Sequence, residues 1–311
     1  MTTVRIGTRA SALATTQTGH VADALTAAGG AQIETVHVRT DGDRLRGSLT
    51  QLGGTGVFVT ALRDALLEGR CDVAVHSLKD LPTGAAPGLV TAAVPERVDP
   101  RDALCARDDH TLETLPQGSR VGTGSPRRKA QLLAVRPDLD VVDIRGNVGT
   151  RLARITADLD AVVLAAAGLA RLDMLDAATD LLDPAVMLPA AGQGALAVEC
   201  RADEQHVIPG LTALDHLPTR VAVAAERALL EHLEAGCAAP VGALGLVDGA
   251  VLRLDVVVAA LDGSRVLRDH REVALGPDPV AQAVALGRDA AADLLAQGAA
   301  ALAPVGPAGR E

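Results

Sequence analysis

Charged and polar side chains follow four short apolar segments that have the composition of β-strands. These side chains are Arg9 with Ser11, Ser77 with Lys79 and Asp80, residues 123–128, and Arg145. Ligands of open α/β sheets bind beyond the carboxyl ends of the strands. A single cluster of this kind is usually an ordinary polar loop, but four clusters at one predicted edge indicate a ligand-binding site.

The segment 123–128 has the sequence TGSPRR, which is typical of the start of a helix. Ser125 can cap the helix, and Pro126 suits its first turn. The free amides and the positive end of the helix dipole would then lie beside Arg127 and Arg128, which favours a carboxylate or phosphate ligand. On these residues alone, an ordinary capped helix with two solvated arginines fits equally well.

Lys79 and Asp80 are adjacent residues directly after a predicted strand. Most such neighbours form surface ion pairs that contribute little stability. In a cleft, the Asp80 carboxylate could instead act as an acid or base, or stabilise a cationic intermediate.

The four cysteines are far apart and include no C-x-x-C pair, which argues against a disulfide framework and against a metal site. Cys71, Cys105 and Cys200 lie in or beside predicted strands, where a thiol is usually a small buried apolar group. Cys237 differs because it lies in a predicted loop between a helix and a sheet. A thiol in such a loop can be accessible and nucleophilic.

Length and charge limit the classes of function. A chain of 311 residues is long enough for two or three domains. The net charge of −10 disfavours extended contact with nucleic acid or with an anionic membrane. Residues 1–18 do not have the pattern of a signal peptide, and no apolar run is long enough to span a bilayer, so we expect a cytoplasmic protein.

Short β-type runs alternate with amphipathic helical stretches as far as residue 164, a pattern that predicts a parallel sheet with helices on its faces. The predicted strands are 4–6, 33–38, 73–76, 121–122, 141–144 and 161–164. Gln17 lies in the apolar stripe of the first helix, so it either pairs with a buried polar group or faces a cleft. The motif RIGTRAS at 5–11 is echoed by RVGTGS at 120–125, which predicts two related halves, the second starting near Val98.

The C-terminal third has a different pattern. It begins with a predicted helix over 219–234, and Gly236 is placed to end that helix. Two Asp-Gly turns, at 248–249 and 262–263, favour hairpins between the β-type runs that follow. A last predicted helix over 279–297 can cover the antiparallel sheet that these hairpins form.

Seven segments, taken in order, make the chain resemble the porphobilinogen deaminase family along essentially its whole length. They are RIGTRAS at 5–11, GGTGVF at 53–58, VHSLKDLP at 75–82, VGTGSPRR at 121–128, RGNVGTR at 145–151, GQGA at 192–195 and LEAGC at 233–237. No single segment is decisive, but their combination in the family's order is highly specific.

The resemblance implies an α/β fold with two periplasmic-binding-protein-like α/β domains and a cleft between them, plus a small C-terminal α+β domain with an antiparallel sheet. Domain 1 would span 1–97 and 192–214, domain 2 would span 98–191, and domain 3 would span 216–311 and bear the cofactor cysteine. The resemblance further implies a monomeric cytoplasmic transferase, a hydroxymethylbilane synthase, that binds neither nucleic acid nor a membrane.

The implied reaction is the head-to-tail condensation of four porphobilinogen molecules, with loss of ammonia, onto a covalent dipyrromethane cofactor. Hydrolysis then releases linear hydroxymethylbilane for tetrapyrrole biosynthesis. The residues that match functional positions of the family are Cys237 for the thioether to the cofactor, Asp80 as the catalytic carboxylate that also contacts the cofactor, Ser77, Lys79, Thr123, Ser125, Arg127 and Arg128 for cofactor binding, and Arg9, Ser11, Gln17, Arg145, Arg151 and Arg171 for substrate binding. Each pyrrole brings an acetate and a propionate, so the growing chain requires many fixed cations.

Two positions depart from the family pattern. Thr55 stands where a lysine is common, and residues 238–239, both alanine, lack a frequent polar side chain; Arg44 or Arg46 could supply the missing charge. Two other functions remain open from the residues alone. A non-enzymatic binding protein for small anions would explain the cationic edge but would not need Cys237, and a related chain without turnover would keep the same motifs.

Overall fold

A computed structural model describes residues 3–29, 32–38, 56–236 and 239–305 of the chain. Its strands are β1 (Thr3–Thr8), β2 (Gln32–His37), β3 (Val73–Ser77), β4 (Leu89–Ala93), β5 (Asp102–Ala106), β6 (Arg120–Gly122), β7 (Asp140–Val142), β8 (Ala161–Ala165), β9 (Asp180–Leu181), β10 (Leu196–Arg201), β11 (Val241–Asp248), β12 (Val251–Ala259) and β13 (Val266–Ala274). Its α-helices are α1 (Ala12–Gly29), α2 (Gly56–Leu67), α3 (Pro126–Val135), α4 (Val148–Leu152), α5 (Ala166–Arg171), α6 (Ile208–Thr212), α7 (Leu217–His232) and α8 (Pro279–Ala296). In this part of the chain, no helix combines the length and the apolar character that a membrane span needs.

The chain forms two compact units. Unit 1 consists of Met1–Arg97 with Ala195–Arg220, and unit 2 consists of Val98–Gly194 with Val221–Glu311. Unit 1 is therefore built from two separate stretches of sequence, and so is unit 2.

The sheet of unit 1 has the strand order β2-β1-β3-β10-β4. Strand β1 pairs in parallel with β2 and β3, whereas β10 is antiparallel to both β3 and β4. Val21 and Leu25 of α1 pack against Ile6 and Val198 of the sheet in one buried cluster. The apolar stripe that predicted α1 is thus the face that the helix buries.

The larger sheet of unit 2 repeats this arrangement, with the order β7-β6-β8-β5-β9. Strand β6 is parallel to β7 and β8, and β5 is antiparallel to β8. The sequence echo therefore falls on β1 and β6, which hold the same place in the two orders. Both strands need glycine there, because a Cβ on Gly7 would lie 2.8 Å from Cys71 Sγ and one on Gly122 would lie 2.6 Å from Leu159 Cδ1.

The predicted α/β class is confirmed, but the prediction of a purely parallel sheet is wrong. Each five-stranded sheet is mixed, because β10 in unit 1 and β5 in unit 2 run against their neighbours. Strand β10 is far from its partner β3 in the sequence, and the local hydrophobic pattern does not predict which distant strands pair.

The C-terminal antiparallel sheet has the order β11-β12-β13, and the predicted hairpins are confirmed. Both turns use glycine with positive φ, 57° at Gly249 and 73° at Gly263. Helices α7 and α8 cover this sheet, since residues of both helices and of β12 form one buried core. The prediction that Gly236 ends the preceding helix is wrong, because α7 ends at His232 and the left-handed residue is Glu234, with φ 50°.

Candidate active site

Asp80 lies at the carboxyl end of β3 in unit 1. The strand runs into a single 3-10 turn over Leu78–Asp80, which Leu81 closes by donating its N–H to the Leu78 carbonyl at 3.1 Å. Leu78 points into the core, so Lys79 and Asp80 are left exposed. Within the described residues, the Asp80 carboxylate accepts no hydrogen bond, and it is therefore available to a ligand.

The first helix of unit 1 brings Ser11 and Gln17 to the same edge of the sheet. Ser11 caps α1 by accepting a hydrogen bond from the Ala14 amide at 3.3 Å. Gln17, only 4% exposed, donates from Nε2 to Ser77 Oγ at 2.9 Å. The open question about Gln17 is answered, because it pairs with a polar group, and that group is itself a predicted cofactor-binding residue.

Arg9 follows β1 directly and is partly buried. Since β1 and β3 are parallel neighbours, their carboxyl ends meet at one edge of the sheet. This edge of unit 1 thus contains six of the predicted residues: Arg9, Ser11, Gln17, Ser77, Lys79 and Asp80.

In unit 2, the predicted helix start at Ser125 is confirmed. The Ser125 side chain accepts from the Arg128 amide at 3.4 Å, and Pro126 occupies the first turn of α3. Thr123, 3% exposed, accepts a hydrogen bond at Oγ1 from the Ser125 amide at 3.2 Å. Thr123 and Ser125 therefore shape the loop between β6 and α3 as well as lying beside its free amides.

Arg127 and Arg128 are buried, at 4% and 6% exposed, so the alternative of two solvated arginines is wrong. Both pair with Asp102 of β5: Arg127 Nη1 lies 2.7 Å from Oδ2, and Arg128 Nη2 lies 2.8 Å from Oδ1. Burial alone would raise the pKa of Asp102, but the two guanidinium charges outweigh it and hold the pKa well below its usual range. Asp102 is therefore ionised, and the cluster of three groups keeps one net positive charge.

Two further arginines of unit 2, Arg145 and Arg151, add positive charge close to this cluster. Arg151 donates from Nε to the Gly146 carbonyl at 2.8 Å. Its pKa is lowered by burial and by the positive charges of Arg128 and Arg145, with Asp143 opposing them. Arg145 is exposed and lies 3.5 Å from Asp143. A low pKa caused by burial and by like charges marks a place where an added anion is stabilised.

Arg171 has a similar environment at the end of α5. It donates to the Gly194 carbonyl at 2.8 Å and, within the described residues, has no carboxylate partner. Burial lowers the pKa of Arg171 to about 10. A cation that has lost water without gaining a counter-charge favours a bound anion.

The sequence analysis missed four residues that hold these groups in place. Asp102 and Gln193 support Arg127 and Arg128, Glu226 accepts from the amides of Gly192 and Gly245, and Glu199 pairs with Arg63 and His76. The available signal was a charged residue inside an otherwise apolar strand, as in DALCA at 102–106 and LAVECR at 196–201. Such a residue usually indicates a buried ion pair.

Several predicted positions cannot be placed. Cys237, Ala238, Thr55, Arg44 and Arg46 lie outside the described residues. Leu233 and Ala239, which precede and follow Cys237 in the sequence, both belong to the C-terminal core. The other three cysteines are buried free thiols as predicted, and burial raises the pKa of Cys105 and of Cys200 to about 11.

Two family models match the chain. The model "Porphobilinogen deaminase, dipyromethane cofactor binding domain" matches residues 4–209, and "Porphobilinogen deaminase, C-terminal domain" matches residues 221–296. The chain belongs to the porphobilinogen deaminase family. The resemblance seen in the sequence is confirmed, and the cationic edges described above lie within the matched regions.

Similar porphobilinogen deaminases occur in several bacteria. That of Thermobifida fusca is 56% identical over 314 residues, covering 99% of this chain and 98% of its own. That of Cutibacterium acnes is 56% identical over 305 residues, covering 92% and 91%. That of Micrococcus luteus is 54% identical over 316 residues, covering 90% and 84%.

Solved structures with distant similarity include a Salmonella typhimurium periplasmic binding protein with high arginine specificity, at TM-score 0.37 and 13% identity, covering 69% of this chain and 92% of that one. A Ruminococcus gnavus lipoprotein has TM-score 0.40 and 12% identity, covering 69% and 91%. Values this low do not establish a common fold. The assignment to the porphobilinogen deaminase family rests on the sequence matches.

Proposed function

We propose that this chain is a hydroxymethylbilane synthase. It condenses four porphobilinogen molecules head to tail, with loss of ammonia, onto a dipyrromethane primer attached to Cys237, and then releases linear hydroxymethylbilane by hydrolysis for haem and cobalamin-type tetrapyrrole biosynthesis. Membership of the family confirms the predicted enzyme class, a transferase of tetrapyrrole biosynthesis with a dipyrromethane cofactor-binding domain.

One observation supports this proposal most strongly. The arginines of unit 2 described above carry more positive charge than the carboxylates paired with them neutralise. Among the residues that the structure describes, Asp102 is the one carboxylate paired with Arg127 and Arg128, and Arg171 contacts a backbone carbonyl but no carboxylate. A porphobilinogen unit contributes an acetate and a propionate, so each addition brings two negative charges that these arginines can neutralise. Arginine suits this role because its planar fork binds a carboxylate through two hydrogen bonds.

The residues present fit a dipyrromethane with its four carboxylates. Lys79, Ser77, Thr123, Ser125, Arg127 and Arg128 would hold its acidic side chains, and Arg9, Ser11, Gln17, Arg145, Arg151 and Arg171 would bind incoming substrate. When bound, the dipyrromethane supplies a free pyrrole α-carbon to which the first substrate is joined.

Asp80 supplies the negative charge for the reaction. Loss of ammonia from the aminomethyl group of porphobilinogen leaves an electron-poor pyrrole whose positive charge an ionised carboxylate stabilises. Joining the next pyrrole would release a proton from the attacking α-carbon, and Asp80 would accept that proton. An exposed carboxylate without a protein donor suits both tasks, because it is not committed to the fold.

The proposal includes the three-domain division at 1–97 with 192–214, 98–191 and 216–311. It also includes a monomeric state, a cytoplasmic location and no nucleic-acid partner. The acidic net charge of −10 supports the last of these, because nucleic-acid binding depends on many cations that meet phosphates.

The test is stoichiometric turnover. The purified chain is incubated with porphobilinogen, and released ammonia is measured together with hydroxymethylbilane, the latter by its conversion to uroporphyrin. We expect four ammonia molecules for each tetrapyrrole. A chain that binds porphobilinogen without releasing ammonia would instead be a binding protein, and the proposed function would be wrong.

A further inference from the structure

The two arginines at the start of α3 meet at one buried carboxylate. We propose that Asp102 is the positioning residue for Arg127 and Arg128, and that it holds their remaining N–H groups ready for a carboxylate ligand. This inference rests on the proposed function, which assigns both arginines to the dipyrromethane.

Helix geometry alone would separate the two side chains. Arg127 and Arg128 are consecutive in the first turn of α3, and consecutive helical residues point about 100° apart. Asp102 overcomes this divergence with its two oxygens. Oδ2 accepts from Arg127 Nη1 at 2.7 Å, while Oδ1 accepts from Arg128 Nε at 3.1 Å and Nη2 at 2.8 Å.

Both arginines keep N–H donors that have no acceptor among the residues the structure describes. A guanidinium has five N–H groups. Arg128 donates two N–H groups to Asp102 and a third to the Val163 carbonyl at 2.8 Å. Arg127 uses Nη1 for Asp102 and for the Leu188 carbonyl at 2.6 Å, and its buried Nε has no hydrogen-bond partner in the described part of the chain. An unsatisfied buried donor on a cation is costly, so the fold alone does not account for all of the hydrogen-bonding groups of Arg127.

A third contact fixes the orientation of the carboxylate. Gln193 donates from Nε2 to Asp102 Oδ1 at 2.8 Å and to the Pro100 carbonyl at 2.8 Å. Asp102 is completely buried and accepts four hydrogen bonds from described residues, so its carboxylate is not exposed to a substrate group. It therefore acts through the arginines rather than on the reactants.

The test uses Asp102→Asn, Arg128→Leu, the double variant and Gln193→Leu. The control is Asp138→Asn, which breaks a partly buried pair with Arg136 at the other end of α3. For each protein, intact mass gives the fraction that holds the dipyrromethane, steady-state kinetics of the loaded fraction give KM and kcat, and thermal unfolding gives stability.

We expect Asp102→Asn to lower cofactor loading and to raise KM for porphobilinogen roughly 10- to 100-fold, the range for losing a charge-assisted contact, with a smaller change in kcat. In the double variant, the combined effect on cofactor loading and on KM should be smaller than the product of the two single-variant effects, because both changes act on Arg128. Asp138→Asn should change stability alone.

The inference is overturned if the losses of the double variant multiply, or if Asp102→Asn changes unfolding while loading and KM stay at wild-type values. Should Asp102→Asn fail to fold, Gln193→Leu decides, because it keeps every charge while it removes the contact to Oδ1 together with the hydrogen bond to the Pro100 carbonyl. Reduced loading with raised KM in Gln193→Leu supports the inference, and unchanged values refute it. An unloaded, inactive wild-type protein would refute the proposed function itself, and this inference with it.

Discussion

Glu199 should stabilise unit 1 through its charge, and the effect should depend on pH in a defined direction. Its carboxylate is 2% exposed and lies between Arg63 and His76 of the same unit. Arg63 donates to it from Nε at 3.0 Å and from Nη2 at 2.8 Å, and His76 Nε2 lies 3.2 Å away. Because His76 is the residue before Ser77 on β3, these contacts also anchor the strand that leads into the turn containing Asp80.

The size of the effect follows from the ionisation of Glu199. Burial alone would raise the pKa of Glu199, but its contacts with His76 and Arg63 outweigh burial and lower the pKa from 4.5 to about 2. A difference of that size corresponds to about 3 kcal/mol of stabilisation by the ionised form. A lowered pKa means that this stabilisation is complete above pH 4.5 and is lost as the pH falls towards 2.

The assay compares urea unfolding of wild type and Glu199→Gln at pH 7 and at pH 3. We expect the variant to be less stable by about 2–3 kcal/mol at pH 7, since glutamine keeps the shape and some hydrogen bonding but not the charge. At pH 3 the difference should shrink by about 2 kcal/mol, because part of the wild-type stabilisation is gone. Glu68→Gln, which breaks an exposed pair with Arg70, is the control and should change little.

A difference between wild type and Glu199→Gln that is equally large at both pH values would refute this reasoning. The effect would then come from packing rather than from the charge of Glu199.

Three further predictions concern single side chains. Asp80→Asn should lower the rate of single-turnover substrate addition about 10²–10⁴-fold in fully loaded enzyme. Asp80→Glu should retain more activity, and the exposed control Asp64→Asn should match wild type. If Asp80→Asn reacts as fast as Asp80→Glu, charge at this position does not drive the step. Arg171→Leu should raise KM while leaving the unfolding temperature nearly unchanged, because it removes a partly buried cation that has no carboxylate partner among the described residues. Lower stability with an unchanged KM would contradict the anion-binding role. Cys71→Ser should reduce the free energy of unfolding by about 1–3 kcal/mol, because it buries a hydroxyl at a fully enclosed site. Cofactor loading should stay intact, and a loss of loading would contradict the assignment of Cys71 as a purely structural thiol.

Local patterns in the sequence predicted the elements that position the site. The apolar runs at β1, β3 and β8 are buried strands, and the echo between Gly7 and Gly122 corresponds to equivalent strands because both positions lack room for a side chain. Ser125 and Pro126 predicted the start of α3 because a helix cap is a local feature.

Long-range pairings could not be predicted in this way. Arg127 and Arg128 are buried because Asp102 lies against them, and nothing in the segment 123–128 reports a carboxylate on another strand. Strand β10 lies between β3 and β4 for the same reason, since its partners are distant in sequence. The end of α7 was misplaced because Glu234 adopts a left-handed conformation that sequence rules assign to glycine.

The central claim is that a pyrrole chain grows on Cys237, and intact-protein mass measures this directly. The account predicts that the purified, denatured chain is heavier than its sequence by two pyrrole units, that peptide mapping places the addition on Cys237, and that limited porphobilinogen adds further single units up to four. Cys237→Ser should have the mass of the bare sequence before and after porphobilinogen. An enzyme that turns over porphobilinogen while its Cys237 peptide stays unmodified would contradict the account.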